Sequence, residues 1–143
     1  MIIASIYGVR EVMLRNTYKD LKEYCYSSSG DMVGSSYSKK VSVADNNHAI
    51  IEISQSEAWN VDPSVTKYLV DVKVLSDIEE VFTRYHMYRW NNKKFSNIFV
   101  ADGATMHYSF TFEDKYISFS SQVFPVRYRS RLGEIDEIIN KYL

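Results

Sequence analysis

Met106 to Phe124 reads MHYSFTFEDKYISFSSQVF, and the rest of the chain is organised around it. Met106, Tyr108, Phe110 and Phe112 alternate with His107, Ser109, Thr111 and Glu113, the period-two pattern of a half-buried strand. Asp114-Lys115 turns the chain, and Ile117 and Phe119 resume the alternation against Tyr116, Ser118 and Ser120. The stretch therefore predicts a β-hairpin with one aromatic face and one hydroxyl-rich face. An aromatic face of this size needs a cover, and two amphipathic segments supply one. Ser76-Asp77-Ile78-Glu79 has the form of a capping box, followed by a stripe of Ile78, Val81, Phe82 and Tyr85. The second segment, Tyr128 to Leu143, places Leu132, Ile135, Ile139 and Tyr142 on one face after Pro125 has ended the hairpin.

Outward from the hairpin, further strands are expected. Tyr37 to Ser54 reads as a second hairpin around Asp45-Asn46-Asn47, where the asparagines suit left-handed turn positions. Tyr68 to Leu75 reads as a strand, with Gln55 to Ser64 as a loop before it. Leu21 to Tyr26 fits either a strand or a short helix capped at Asn16 or Thr17. The clusters Ser27-Ser28-Ser29-Gly30 and Gly34-Ser35-Ser36 read as turns or strand edges. Ile3 to Val9 allows a first strand, His86 to Asn97 reads as a structured loop or short strand leading to Ile98-Phe99-Val100, and Asp102-Gly103 as a turn. Strands, helix, hairpin and helix in that order predict a single α+β domain over residues 1–143, an antiparallel sheet with two helices on one face.

The composition limits the functional classes. A length of 143 residues, a net charge of −1 and 24% charged residues describe one ordinary globular domain without a global field toward nucleic acid or anionic lipid. No run reaches the roughly 20 apolar residues of a membrane-spanning helix. MIIASIY is too short for a signal-peptide core and has no basic residue ahead of it, so a cytoplasmic protein is expected. The single Cys25 cannot form an internal disulfide.

YSSSGDM at Tyr26–Met32, YRWNNKKFSN at Tyr88–Asn97, VADG at Val100–Gly103 and ISFSSQVFPVRYRSRLGEID at Ile117–Asp136 resemble a widespread uncharacterised group of small bacterial proteins of gut anaerobes, especially Gram-positives. The resemblance covers roughly residues 26–142. It implies a common fold and no activity, and no functional residue is carried over from it. Some members of that group carry export or lipoprotein leaders.

Catalytic signatures are sparse. His48, His86 and His107 have no metal-ligand spacing to one another or to Cys25, and HExxH, CxxC and clustered-carboxylate patterns are missing. Cys25 could pair with a distant histidine as a nucleophile, although Tyr24 and Tyr26 around it suggest a strand. Gly30 and Gly34 are not followed by the lysine of a phosphate loop. Neither a metal nor a cofactor is expected.

The chemistry lies in two basic segments, Arg84 to Lys94 and Arg127 to Arg131, both interleaved with aromatics. The candidate binding residues are Arg89, Trp90, Lys93, Lys94, Arg127, Tyr128 and Arg129. Three readings stay open: core rings with solubilising cations, a protein-binding surface rich in Trp, Tyr and Arg, or a single-stranded nucleic-acid surface. The serine face of the hairpin, Ser118, Ser120 and Gln122, is a solvated surface or a docking face. The overall expectation is a non-enzymatic protein-binding module of the inhibitor or immunity type. The alternative is a small-ligand or nucleotide binder with a pocket between hairpin and helices. Nucleic acid is the least favoured partner, and an edge strand of the 37–54 hairpin offers a route to a homodimer.

Overall fold

A computed structural model describes residues 18–30, 34–95 and 104–143. The expected first strand at Ile3 to Val9, the cap at Asn16 or Thr17, the Ile98-Phe99-Val100 segment and the Asp102-Gly103 turn lie outside the described residues.

The elements follow in the order β1 (Glu23–Ser29), β2 (Ser36–Val43), β3 (His48–Ser56), β4 (Ser64–Asp71), α1 (Lys73–Arg84), a 3-10 turn (Met87–Trp90), β5 (Lys94–Phe95), β6 (Thr105–Thr111), β7 (Tyr116–Ser121) and α2 (Val126–Tyr142). The strands form one sheet in the order β4-β3-β2-β1-β6-β7-β5. All neighbours are antiparallel except the two-residue β5, which runs parallel to β7. The chain is therefore an α+β fold.

The central hairpin is β6–β7, in the register Tyr108↔Phe119 and Phe110↔Ile117. Its turn is closed by the Phe112 amide donating to the Lys115 carbonyl at 2.8 Å. Cross-strand pairing continues this face through Tyr24, Val41 and Ile51, all of them buried. α1 lays Val74, Ile78 and Phe82 onto it, and α2 adds Leu132, Ile135 and Ile139. Phe82 packs against Phe110 at 4.9 Å and Phe112 at 5.1 Å between ring centroids. From α2, Asp136 reaches the buried Lys39 of β2 at 3.3 Å, on the same side of the sheet. Burial of each such side chain contributes about 1.5–3 kcal/mol. The opposite face carries Ser27, Ser38, Ser54, His107 and Ser120 in one row and Lys40, Glu52, Cys25, Ser109 and Ser118 in the next.

Several expectations are corrected. The strand read as Tyr68 to Leu75 ends at Asp71, and Val74 and Leu75 belong to the first turn of α1. Asp71 Oδ1 accepts the Lys73 amide at 2.8 Å, which turns the chain into the helix. The capping box does not form. Ser76 lies inside the helix with its hydroxyl donating to the Lys73 carbonyl, and Glu79 Oε1 accepts the Leu21 amide at 2.7 Å instead. In the 45–47 turn, Asp45 Oδ1 organises the bend by accepting the Asn47 and His48 amides. Among the described residues, the left-handed non-glycine positions lie elsewhere, at Asp20, Asn60, His86 and Asn92. Of the two readings for Leu21 to Tyr26, the strand is the one adopted, and it continues through Ser27, Ser28 and Ser29. β1 sits mid-sheet between β2 and β6. Ladder pairing on both sides satisfies its backbone, which outweighs the turn preference of serine. Both strands of the 37–54 hairpin are interior, so that hairpin offers no edge.

Four tyrosines set the behaviour at alkaline pH: Tyr24, Tyr26, Tyr108 and Tyr142, with burial the main cause for Tyr26 as for the others. Burial raises the phenol of Tyr24 well above its ordinary range, and burial also raises Tyr108, with Tyr26 adding to it. Tyr142 donates to Asp77 Oδ2 at 2.6 Å, and burial together with that carboxylate pushes it up to about 12. All four are raised, so their contribution is complete below the ordinary phenol value of about 10 and is lost as pH climbs above it, for Tyr142 through about 12. Urea midpoints are expected to hold steady up to about pH 9 and fall steeply above about 10. A near-ultraviolet phenolate titration should show these four tyrosines ionising late, together with unfolding. Uniform early ionisation of every tyrosine would contradict this.

Candidate functional site

The chain from the end of α1 to β5 folds as a tight unit. His86 adopts φ 51°, and this left-handed residue reverses the chain out of α1 into the 3-10 turn. The turn buries Met87, Tyr88 and Trp90. Trp90 sets its ring edge to face with Phe119 at 5.3 Å and with Tyr128 at 4.6 Å. Tyr128 arrives from α2, whose start is fixed by Pro125. A proline fits there because a helix start has no use for its missing amide proton. Its carbonyl accepts the Tyr128 and Arg129 amides at 2.9 and 3.0 Å. That first turn points Tyr128 into the protein and leaves Arg127 and Arg129 exposed.

The cations of the two basic segments gather around these rings. Arg127 lies 5.1 Å from the Tyr128 ring centroid, donates to its hydroxyl at 3.3 Å, and is joined by the Lys93 ammonium at 6.0 Å from the same centroid. Arg89 lies 5.9 Å from the Tyr88 centroid. Further along, Arg131 and Arg84 lie 4.8 and 5.6 Å from Tyr85. Glu134 accepts from Arg84 at 2.9 Å and from the Tyr85 hydroxyl, and Glu80 accepts from Arg84 as well. Each cation–ring contact contributes about 0.5–1 kcal/mol at an exposed site. Their larger effect is to hold long side chains in place above a rigid floor.

The seven candidate residues therefore divide. Lys93 and Arg127 meet over the Tyr128 ring, Arg129 is exposed on the same first turn of α2, and Arg89 is exposed on the 3-10 turn over the separate ring of Tyr88. Trp90 and Tyr128, at 4% and 8% exposure, are the floor beneath the rim and do not offer contact surface. Lys94 pairs in register with Ser120 of β7, and it lines a recess of about 200 Å³ together with Lys93, Asn92, His107, Ser118 and Ser120. The space between hairpin and helices, expected to hold a small ligand, contains the packed rings of Trp90, Phe119, Tyr128, Tyr108 and Phe124.

Cys25 is half-buried on the open face of β1. Burial raises its thiol, Glu23 raises it further, and Lys40 only partly opposes them. A thiol pushed up in this way is the reverse of an activated nucleophile. His107 shares that face but stands opposite Ser27, diagonal to Cys25. His48 is tied to Asp45 at 3.0 Å, and His86 sets its ring edge on Tyr88. Among the described residues no group of three His, Cys, Asp or Glu side chains could hold a metal ion. No described helix is long and apolar enough to cross a membrane.

One feature had no signal in the sequence. An open cleft of about 510 Å³ is lined by Asp20, Asp45, Asp71 and Glu79 together with Lys22 and Lys73. Its acidic residues come from separate segments that only the fold brings together. Three of the carboxylates accept backbone amides: Asp45 from Asn47 and His48, Asp71 from Lys73, and Glu79 from Leu21. No protein-family model matches the chain, and no curated protein matches it.

Proposed function

We propose that the chain is a non-enzymatic protein-binding module, of the inhibitor or immunity type, that docks an acidic surface of a partner protein against the rim formed by Arg89, Lys93, Arg127 and Arg129. The observation that carries this reading is the convergence of two basic segments, separated along the chain, where Lys93 and Arg127 meet over the buried Trp90–Tyr128 pair. Arginines are enriched among residues that dominate protein interfaces, and side chains already ordered on rings lose less entropy on docking. A single-stranded nucleic acid is disfavoured by the same geometry. Base stacking needs accessible rings, whereas Trp90 and Tyr128 are buried, and the net charge is −1.

The test is affinity capture from a lysate of the source organism, with the wild-type chain beside the triple variant Arg89→Glu, Arg127→Glu, Arg129→Glu. The wild type is expected to retain one stoichiometric protein. The variant should melt at an unchanged temperature and lose that protein, with affinity reduced at least about tenfold. Equal capture by both chains, or a nucleic-acid absorbance in the eluate, would overturn the proposal.

A further inference from the structure

Among the described residues β4 has one strand neighbour, β3, and forms an edge of the sheet. It is long for an unguarded edge: eight residues with no proline inside it, and Ser64 through Leu69 all exposed. Leu69 is 65% exposed, Tyr68 and Val65 are also exposed, and Val61 extends the apolar surface just ahead of the strand. An edge of this kind presents a row of unpaired amides and carbonyls, which templates the addition of another strand.

We propose that β4 pairs antiparallel with β4 of a second copy of this chain, about a two-fold axis at Leu69, and so joins the two sheets edge to edge. The sequence of the strand is self-complementary in that register. With Leu69 opposite Leu69 of the second copy, Lys67 falls opposite Asp71 and Asp71 opposite Lys67, while Tyr68 and Val70 face each other on the helix side. Both charged residues lie on the open face. Along β2, β3 and β4 the row there already reads Lys40, Glu52, Lys67, with Lys40 and Glu52 3.9 Å apart. Asp71 of the second copy continues that alternation of sign. In the centre, Ile50 and Leu69 of one copy meet Leu69 and Ile50 of the other as one aliphatic stripe.

The neighbouring registers lack this match. A two-fold axis at Lys67 sets two ammonium groups against each other. An axis at Tyr68 puts Lys67 against Leu69 and Asp71 against Val65. Side chains must keep their faces in such a dimer, which removes the odd registers. Lys67, the residue that would otherwise guard a monomeric edge, finds its acceptor in Asp71. An isologous contact of this type closes after two copies and does not propagate into a filament.

The experiment combines sedimentation velocity with cysteine cross-linking in a Cys25→Ser background. The purified chain is expected to dimerise reversibly as its concentration rises. Lys67→Asp, which places like charges opposite Asp71 at both ends of the contact, should weaken dimerisation about tenfold. Asp71 is left in place because it holds the Lys73 amide at the start of α1. Of Lys67→Cys, Tyr68→Cys and Leu69→Cys, all exposed positions whose folding is checked by circular dichroism, only Leu69→Cys should give a disulfide-linked dimer under mild oxidation. A monomer at every attainable concentration would overturn the proposal. So would cross-linking at position 67 or 68 in place of 69, or a dimer that Lys67→Asp leaves as tight as before.

Discussion

Phe82→Ala is expected to lower the free energy of unfolding by about 3–5 kcal/mol, measured as a shift of the urea midpoint at constant slope. Phe82 has no solvent exposure and stands where α1 meets the central hairpin. Its ring lies within 4.9–6.0 Å of the rings of Phe110 and Phe112, at the end of β6, and of Tyr18, ahead of β1. Removing it leaves a void bounded by stiff aromatics that cannot close in, the situation in which the cavity penalty adds fully to the lost transfer energy. A domain of this size has about 5–15 kcal/mol in total, so the loss is a large fraction of its stability. Phe82→Leu, which keeps most of the volume, should cost much less, on the order of 1–1.5 kcal/mol. A loss below about 1 kcal/mol for Phe82→Ala would mean that α1 does not lie on this face as described.

The second large effect is expected at Trp90. Trp90→Ala should cost about 3–5 kcal/mol, because the indole joins the 3-10 turn to Phe119 of the sheet and to Tyr128 of α2. Its loss removes two edge-to-face contacts, each contributing about 0.5–1.5 kcal/mol beyond the buried area. The chain has two tryptophans, and the other, Trp59, is 68% exposed. The blue-shifted part of the emission should therefore vanish in Trp90→Ala, leaving a solvent-exposed spectrum. Trp90→Phe should restore most of the stability and also partner capture. A Trp90→Ala chain that kept its stability but lost its partner would instead make the indole a contact residue and contradict the account of a buried floor.

Much of the fold was legible because period-two and helical stripes answer to burial. The hairpin from Met106 to Phe119 and the stripe of Ile78, Val81 and Phe82 were readable for that reason. The start of α1 was not. The alternation of Tyr68, Val70, Val72 and Val74 carries on across the boundary, and only the Asp71 carboxylate, acting through space on the Lys73 amide, marks the turn. Ser76 and Glu79 have the spacing of a cap, but the nearby Leu21 amide takes the glutamate. The serines of β1 misled for a related reason: their composition speaks of turns, while their position between two partner strands supplies every backbone bond. At the candidate site, both basic segments were visible in the sequence. Their meeting was not, since it depends on Trp90 finding Tyr128 across the fold. Nor was the division of labour in which the rings are buried and the cations face outward. Lys94 and Lys93 read alike in the sequence and line the same recess, yet only Lys94 pairs in register with β7 and only Lys93 reaches the Tyr128 ring.

A partner protein is proposed to dock on the surface of Arg89, Lys93, Arg127 and Arg129. The most direct test places a photo-crosslinking side chain at position 129 on the rim and, separately, at position 38 on the open face of the sheet. Both chains are irradiated in the lysate. The account predicts one cross-linked protein from position 129, suppressed in the presence of Arg89→Glu and Arg127→Glu, and none from position 38. The same protein cross-linking from position 38, with position 129 silent, would contradict it.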